Sequence, residues 1–417
     1  MKRDVVALGS GVTVVYEQLP EAASAAAGWF VPLGSRDEPP GMAGVAHFLE
    51  HLAFKGDERN DADAVNQALD ALGARANAYT SEDRTAYFGT VLPERLPQLL
   101  RLLAMLSRPA LRPDDVELER AVILEEIAMA NDDPESRVAD LAAAFAHQGH
   151  PLAQPILGTV DSVAGIDREA LRCWRDVSRR PDRLVIALAG SFELDAAIEA
   201  IEEASGDPPG APQETGGPMP HAPLPRTPPA WRYGEVRRSD PGLRRRYGAL
   251  LAPGVPHDSN DRYAATLLAQ GLGEPEHGLL HWELVEPGLA DQVGLVHETA
   301  DGFGRYAGWY GARAETGEQV TVRVRELLNG ATPDLLDPDV WRRAARSWAT
   351  DVTLDAETPF GRMMALADSW IERRELHDPE KEAASILASD VSAGRRLLQD
   401  RPFERLAEAI VTGTGGT

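Results

Sequence analysis

Residues 206–229, from Gly206-Asp207-Pro208-Pro209-Gly210-Ala211-Pro212 to Arg226-Thr227-Pro228-Pro229, are dense in proline and glycine. Proline lacks a backbone donor and glycine loses the most conformational freedom on ordering, so the stretch opposes both helix and sheet and reads as a linker. It divides the 417 residues into an amino-terminal part, 1–205, and a carboxy-terminal part, 230–417. Each part has the size of one domain, and a 43% hydrophobic content is enough to give each a core. Both open with a strand-like run, Val12-Thr13-Val14-Val15-Tyr16 in the first and Arg246-Tyr247-Gly248-Ala249-Leu250-Leu251 in the second, followed by a helical pattern. The chain thus reads as a faint internal repeat, with Ala46-His47-Phe48-Leu49-Glu50-His51 set against Ala265-Thr266-Leu267-Leu268-Ala269-Gln270.

The first copy of that helix carries chemistry that the second has lost. His47, Glu50 and His51 stand at i, i+3 and i+4, which share one face of a helix. Small residues from Gly41 to Ala46 lead into the segment, and Gly56 follows it. Three titratable groups on a short amphipathic helix are costly to bury without a partner, and a metal ion is a suitable one. Two neutral imidazoles and one further protein ligand leave the fourth position of a tetrahedral zinc open to water, as hydrolysis requires. The order His-x-x-Glu-His inverts the His-Glu-x-x-His of other zinc hydrolases. A third ligand is available from the helical stretch Arg112 to Ile127, where Pro113, Asp114 and Asp115 suit a first turn. Glu119 and Glu126 lie seven residues apart on one side of it, and either can face the first helix. Glu125 points about 100° away and reads as a surface acid.

These residues resemble the inverted-motif zinc peptidases that include insulysin, pitrilysin and the mitochondrial processing peptidase. In that family a glutamate about seventy-five residues beyond the second histidine completes the zinc site, and here 126 − 51 = 75. A second family glutamate precedes it by seven, matching Glu119. The resemblance therefore implies Zn²⁺ held by His47, His51 and Glu126, with Glu50 as the base and Glu119 orienting a ligand histidine. Read without the family, Glu119 is an acid on a helix surface. Asn77-Ala78-Tyr79-Thr80-Ser81-Glu82-Asp83-Arg84-Thr85-Ala86-Tyr87-Phe88 is similar to the family's substrate-binding hairpin, and its period-2 pattern with a polar turn supports a hairpin independently. Residues Asn77, Ala78, Tyr79 and Thr80 are the expected substrate contacts, an extended peptide adding as a strand. His150-Pro151-Leu152 and Pro155-Ile156-Leu157-Gly158-Thr159 resemble the family's loop ahead of the next helix, so the likeness covers most of residues 1–200.

The implied fold class is α+β: two similar domains, each an antiparallel-rich sheet with helices packed on one face, together forming half of a clam-shell chamber. In short-chain members two such chains close on each other, so a dimer is expected. The second domain departs from the family. Many active members read Ser-Arg-Leu-Phe-Gln-Glu-Leu-Arg-Glu-x-x-Gly-Leu-Ala-Tyr after the second domain's first helix, and the last arginine and the tyrosine hold substrate at the zinc. Here the stretch runs from His277 to Asp291, with Leu284 in place of the arginine and Asp291 in place of the tyrosine. Leucine has no donor, and a carboxylate repels the anion forming on a scissile carbonyl. Two explanations stand: a heterodimer whose other chain supplies the arginine and tyrosine, or a homodimer with weaker or lost activity. Asp291 with His277 and His281 reads as a second metal site, or the two are surface histidines.

The implied activity is a zinc metalloendopeptidase acting on flexible or unfolded peptides. Its alternatives are a non-catalytic structural or chaperone-like subunit of the same fold, and a maturase trimming a peptide precursor. A formal charge of −24 argues against a nucleic-acid partner, whose phosphates are met by basic surfaces. It fits solubility or the attraction of cationic peptides. No apolar run approaches the roughly 18 residues of a membrane span, and the start Met1-Lys2-Arg3-Asp4 lacks the apolar run of a secretory signal. A cytoplasmic location is therefore expected. The single cysteine, Cys173, leaves no thiolate cluster for a metal and reads as an ordinary half-buried residue.

Overall fold

Alternating apolar runs of the amino-terminal half assemble into one mixed sheet in the computed structural model, which describes residues 2–205 and 226–413. Residues 206–225 of the expected linker lie outside the described residues. The strands are β1 (Lys2–Ala7), β2 (Thr13–Gln18), β3 (Ala25–Val31), β4 (Arg75–Thr80), β5 (Thr85–Val91) and β6 (Val185–Gly190). They pair in the order β1-β2-β6-β3-β5-β4. The β2–β6 pair is parallel and the other four are antiparallel. β3 is buried along its whole length because the two sides of its pleat meet different layers.

Ala25, Ala27, Trp29 and Val31 face the larger core. That core is filled by α1 (Val45–Ala53), by α2 (Pro113–Asp132) through Val116, Ile123 and Ile127, and by helices Leu96–Leu106 and Arg168–Ser178. Ala26 and Phe30 face the opposite side, where α3 (Pro359–Arg373) lays down Met363, Leu366 and Ala367. A buried ion cluster fixes α3 there. The Glu17 carboxylate, fully buried on β2, accepts from Arg3 Nη2 at 2.8 Å and from Arg362 Nη1 at 2.9 Å.

The second sheet consists of β7 (Gly234–Ser239), β8 (Arg245–Gly254), β9 (Gln292–Ala300), β10 (Phe303–Arg313) and β11 (Ala407–Thr412), in the order β7-β11-β8-β10-β9. Here too one pair, β7–β11, is parallel. Apart from β1 the two sheets share one topology, with β2, β6, β3, β5 and β4 corresponding to β7, β11, β8, β10 and β9. Helices Arg262–Gly273, Ala314–Asn329 and Pro338–Asp355 contribute to the main core of this sheet. Helix Pro134–Ala146 covers the other side, with Val138, Ala142 and Ala146 against Ala249, Leu251 and Ala409.

The chain divides into two compact units by contact. One comprises Met1–Ile127, Pro155–Pro225 and Leu354–Asp378, the other Ala128–Gln154, Arg226–Thr353 and Pro379–Thr417. Each is α+β, an antiparallel-rich sheet with its main helical layer on one face, as expected. Each also has one helix on the opposite face, taken from the other half of the sequence. Among the described residues no helix is long and apolar enough to cross a membrane.

Candidate metal centre

The first element of the site, α1, is held at its beginning by an unusual cap. Gly44 adopts φ +94°, and a Cβ there would meet the Leu157 carbonyl oxygen at 2.6 Å, so glycine is required. The buried Glu38 carboxylate accepts from Gly44 N–H at 2.9 Å and Ala46 N–H at 2.8 Å, satisfying two donors at the helix start. Burial pushes that carboxyl up to about 8, against the pull of its two donors. The Pro155–Thr159 loop, singled out in the sequence, sits against this start. Gly158 approaches Ala43 so closely that a Cβ would lie 2.3 Å from the Ala43 carbonyl oxygen, and Ser162 Oγ donates to that oxygen at 2.7 Å.

With Val45, Ala46, Phe48, Leu49, Leu52 and Ala53 buried, α1 keeps His47, Glu50 and His51 on its remaining, half-buried side. α2 brings its acids to them. Glu126 Oε2 lies 3.4 Å from His51 Nε2 and 3.8 Å from His47 Nε2, and the two imidazole centroids are 4.6 Å apart. One donor atom from each of His47, His51 and Glu126 falls within 4.8 Å of the others, the one such grouping of metal-ligating residues among the described residues. Donors about 2.1 Å from a tetrahedral zinc stand about 3.4 Å apart, so the set fits that ion in spacing and in chemistry. Burial, with the neighbouring His51, holds His47 down to about 4, keeping its imidazole in the neutral, ligating form. His47 Nδ1 is buried and makes no hydrogen bond among the described residues.

Glu119 lies two turns before Glu126 and meets the other side of His51. Its Oε2 is 2.9 Å from His51 Nδ1 and its Oε1 is 2.7 Å from Lys55 Nζ. Burial opposes ionisation of Glu119, but the bonds from His51 and Lys55 outweigh it and hold the carboxyl below its usual range. His51 is shifted up: burial opposes this, and Glu119, Glu126 and Glu50 together overcome it. Glu125 is exposed.

Asn77, Ala78, Tyr79 and Thr80 lie on β4, the end strand of its sheet, whose outer edge has no strand partner among the described residues. Their side chains meet different neighbours. Thr80 Oγ1 donates to Glu50 Oε2 at 3.1 Å, so the strand's last residue touches the α1 motif. Tyr79 packs on Phe88, with 6.0 Å between ring centroids, against the α3 layer. Asn77 Oδ1 accepts from the adjoining Ala78 N–H at 2.8 Å. The Glu50 carboxyl is raised, burial and the Glu126 charge prevailing over His51 and the Thr80 hydroxyl.

In the second unit, Leu284 is fully buried in the core and Asp291 is ion-paired with Arg245. His277 is exposed, and neither it nor His281 joins a metal-ligating group. Two participants were not anticipated from the sequence. Lys55 carried a signal, since it stands four residues after His51, in the turn that ends α1. Glu38 carried none, because it caps α1 from six residues ahead of Gly44 across an irregular turn.

Comparison with known proteins gives the family. Residues 13–160 match the family described as Insulinase (Peptidase family M16), and residues 165–329 match Peptidase M16 inactive domain. A protein of Streptomyces coelicolor named an uncharacterized zinc protease is 31% identical, over 97% of this chain and 91% of its own length. A mycobacterial protein of the same description, from Mycobacterium leprae, is 41% identical over 47% of this chain; that match spans 44% of its length, under half. In fold, a protease from Helicobacter pylori superposes with a TM-score of 0.87 at 20% identity, over 98% of this chain and 99% of that one. The full-length similarity to the Streptomyces protein and the two successive family matches establish that this chain belongs to the insulinase family, peptidase family M16.

Proposed function

We propose that the protein is a zinc-dependent endopeptidase that hydrolyses flexible or unfolded peptides in the cytoplasm. The observation that carries this reading is the convergence of His47, His51 and Glu126 within 4.8 Å, beside a carboxylate that is not needed as a ligand. His47, His51 and Glu126 would hold the ion. A zinc ion there supplies Lewis acidity, lowering the pKa of a coordinated water from about 15.7 to about 7. Glu50 takes up the proton from the attacking water and returns it to the leaving amine, a double role suited to a carboxyl that burial has raised. Glu119 fixes the His51 ring through Nδ1. The open edge of β4 offers backbone groups to an extended peptide, which favours broad sequence tolerance and disfavours folded substrates. The division of the chain at 206–229 then separates a half bearing the ligands from a half without them.

We further infer that the working form is one half of a dimeric chamber whose other chain supplies an arginine and a tyrosine. Support comes from the second unit: Leu284 is sealed in the core and the Asp291 charge is taken up by Arg245, so neither position offers a donor to an oxyanion. Metal analysis of purified, zinc-loaded protein tests the first reading, with about one zinc per chain expected and none overturning it. Mixing this chain with a partner bearing the arginine and tyrosine tests the second. A gain in peptide cleavage over either chain alone is expected, and full activity of this chain alone rejects it.

A further inference from the structure

We infer that Thr80 is a positioning residue for Glu50 rather than a substrate contact; this rests on the peptidase reading above. Three observations carry it. The Thr80 hydroxyl gives Glu50 its one side-chain hydrogen bond among the described residues, at 3.1 Å to Oε2. An ionised carboxylate only accepts, so the hydroxyl must donate, and its proton is committed to Glu50 rather than to a peptide. The turn next to Thr80 is itself held in place from several directions. Thr80 pairs with Thr85 at the end of the hairpin, and Ser81 N–H donates to the Arg84 carbonyl at 2.8 Å to close the turn. Ser81 and Glu82 carbonyls accept from Ser35 and Arg36 N–H at 3.0 and 3.1 Å. The Arg36 guanidinium bonds Asp83 at 2.8 Å, and Arg84 is paired with Asp368 and Glu372 on α3.

The consequence is geometric. A glutamate side chain has three rotatable bonds, and α1 fixes only its Cα. A base acts when its oxygen is within hydrogen-bond reach of the proton it removes, so a carboxylate that wanders spends its time out of reach. Binding Oε2 to Thr80 fixes the plane of the carboxylate and leaves Oε1 for the reacting water. The hairpin, braced by residues 35–36 and by α3, thereby sets the orientation of the base on α1.

The test compares Thr80→Val, nearly isosteric without the donor, with Thr80→Ser, which keeps it, and with Thr80→Ala as a second donor-less form should the valine variant not fold. Peptide hydrolysis is measured on a flexible fluorogenic peptide, zinc affinity by competition with a chromogenic chelator, and the Glu50 side chain in crystals of each variant. Losing a hydrogen bond to a charged group predicts that the valine and alanine forms lose about tenfold or more in kcat. KM and zinc affinity should stay within about twofold, with Glu50 spread over several rotamers, and serine should restore both rate and order. A general structural defect would move KM, metal affinity and thermal stability together. Turnover by the unmodified chain with no change in the donor-less variants, or an unrelieved loss in the serine form, overturns the positioning role alone. Absence of hydrolysis by the unmodified, zinc-loaded chain, both alone and mixed with a partner bearing the arginine and tyrosine, overturns the peptidase reading and this inference with it.

Discussion

Glu119→Gln should weaken zinc binding without touching a ligand, and the structure gives the size of the effect. The Glu119 carboxylate, 6% exposed, receives His51 Nδ1 at 2.9 Å and Lys55 Nζ at 2.7 Å. With Nδ1 occupied as the protonated nitrogen, the lone pair of His51 is forced onto Nε2, the atom 3.4 Å from Glu126. An amide cannot reproduce this. Its oxygen can serve either His51 or Lys55, and its NH₂ then confronts the remaining donor. Hydrogen bonds to charged groups contribute about 1.5–3 kcal/mol, and loss of such outer partners lowers metal affinity about 10- to 100-fold. The assay is a zinc titration in competition with a chromogenic chelator near pH 7.5, paired with chemical denaturation of the zinc-free protein. Lys55→Met serves as the control, because it removes the ammonium while leaving the acceptor for His51. We expect Glu119→Gln to fall in the 10- to 100-fold range and Lys55→Met to lose less. Unchanged zinc affinity in Glu119→Gln, with the fold intact, would refute the claim that Glu119 orients the ligand.

The remaining expectations concern other parts of the molecule. Glu50→Gln should lower peptide hydrolysis by about 10²–10⁴-fold while retaining one zinc per chain, and a variant that hydrolyses at the normal rate would remove Glu50 from its role. His147 is fully buried, neither ring nitrogen has a hydrogen-bond partner among the described residues, and the ring packs on Trp231 with centroids 4.7 Å apart. Burial, aided by Arg305 and His150, holds it down to about 4. The unfolded chain therefore takes up the proton first, so this contribution is complete above about pH 6.5 and is lost as pH falls through about 4, amounting to about 3 kcal/mol at most. His147→Phe should flatten that acid slope and raise stability at neutral pH by about 1–3 kcal/mol in urea titrations; a destabilised variant with the slope intact would contradict this. Glu17→Gln leaves the Arg3 and Arg362 guanidinium groups without their buried counter-charge and should cost about 3–5 kcal/mol, with faster hydrogen exchange along α3; a change below about 1 kcal/mol would show the cluster to be energetically idle.

How much of this was legible in the sequence depends on the range of the interaction. His47, Glu50 and His51 declare their common face through helical spacing alone, and the structure places them on one half-buried side of α1. Pattern narrowed the third position only to Glu119 or Glu126, because residues two turns apart share a side. The family spacing separated them, and the structure brings one acid to the Nε2 atoms and the other to Nδ1 and Lys55. The hairpin followed from its period of two, yet nothing in that period says that the Thr80 hydroxyl meets Glu50, a contact between residues 30 apart. The two covering helices were least legible. The apolar stripe of α3, Met363, Leu366 and Ala367, shows that the helix has a buried side, but not that its partners are Phe30 and Ala187 of the first sheet. Arg362 reaches Glu17 across 345 residues of chain.

The internal repeat supplies a comparison within one molecule. The helix Arg262–Gly273 follows β8 as α1 follows β3, and it is packed as core: Ala264, Ala265, Leu267, Leu268, Ala269 and Leu272 are buried. Where α1 has His47, this helix has Thr266, whose hydroxyl is 3.3 Å from His297 Nδ1; where α1 has Glu50, it has Ala269. A Cβ on Gly273 would lie 2.3 Å from that of Leu295, so the end of the helix sits directly on β9. The same topology is therefore satisfied by a helix with no titratable group on this face, and nothing in the fold demands the α1 triad. On α1 these groups are maintained against desolvation that holds His47 near 4 and raises Glu50. Local departures from what packing alone would select mark the places where a chain does chemistry. Between these two equivalent helices the departure falls on α1 and on the acids that α2 brings to it, and this is the physical reason for proposing the chemistry in the first unit rather than the second.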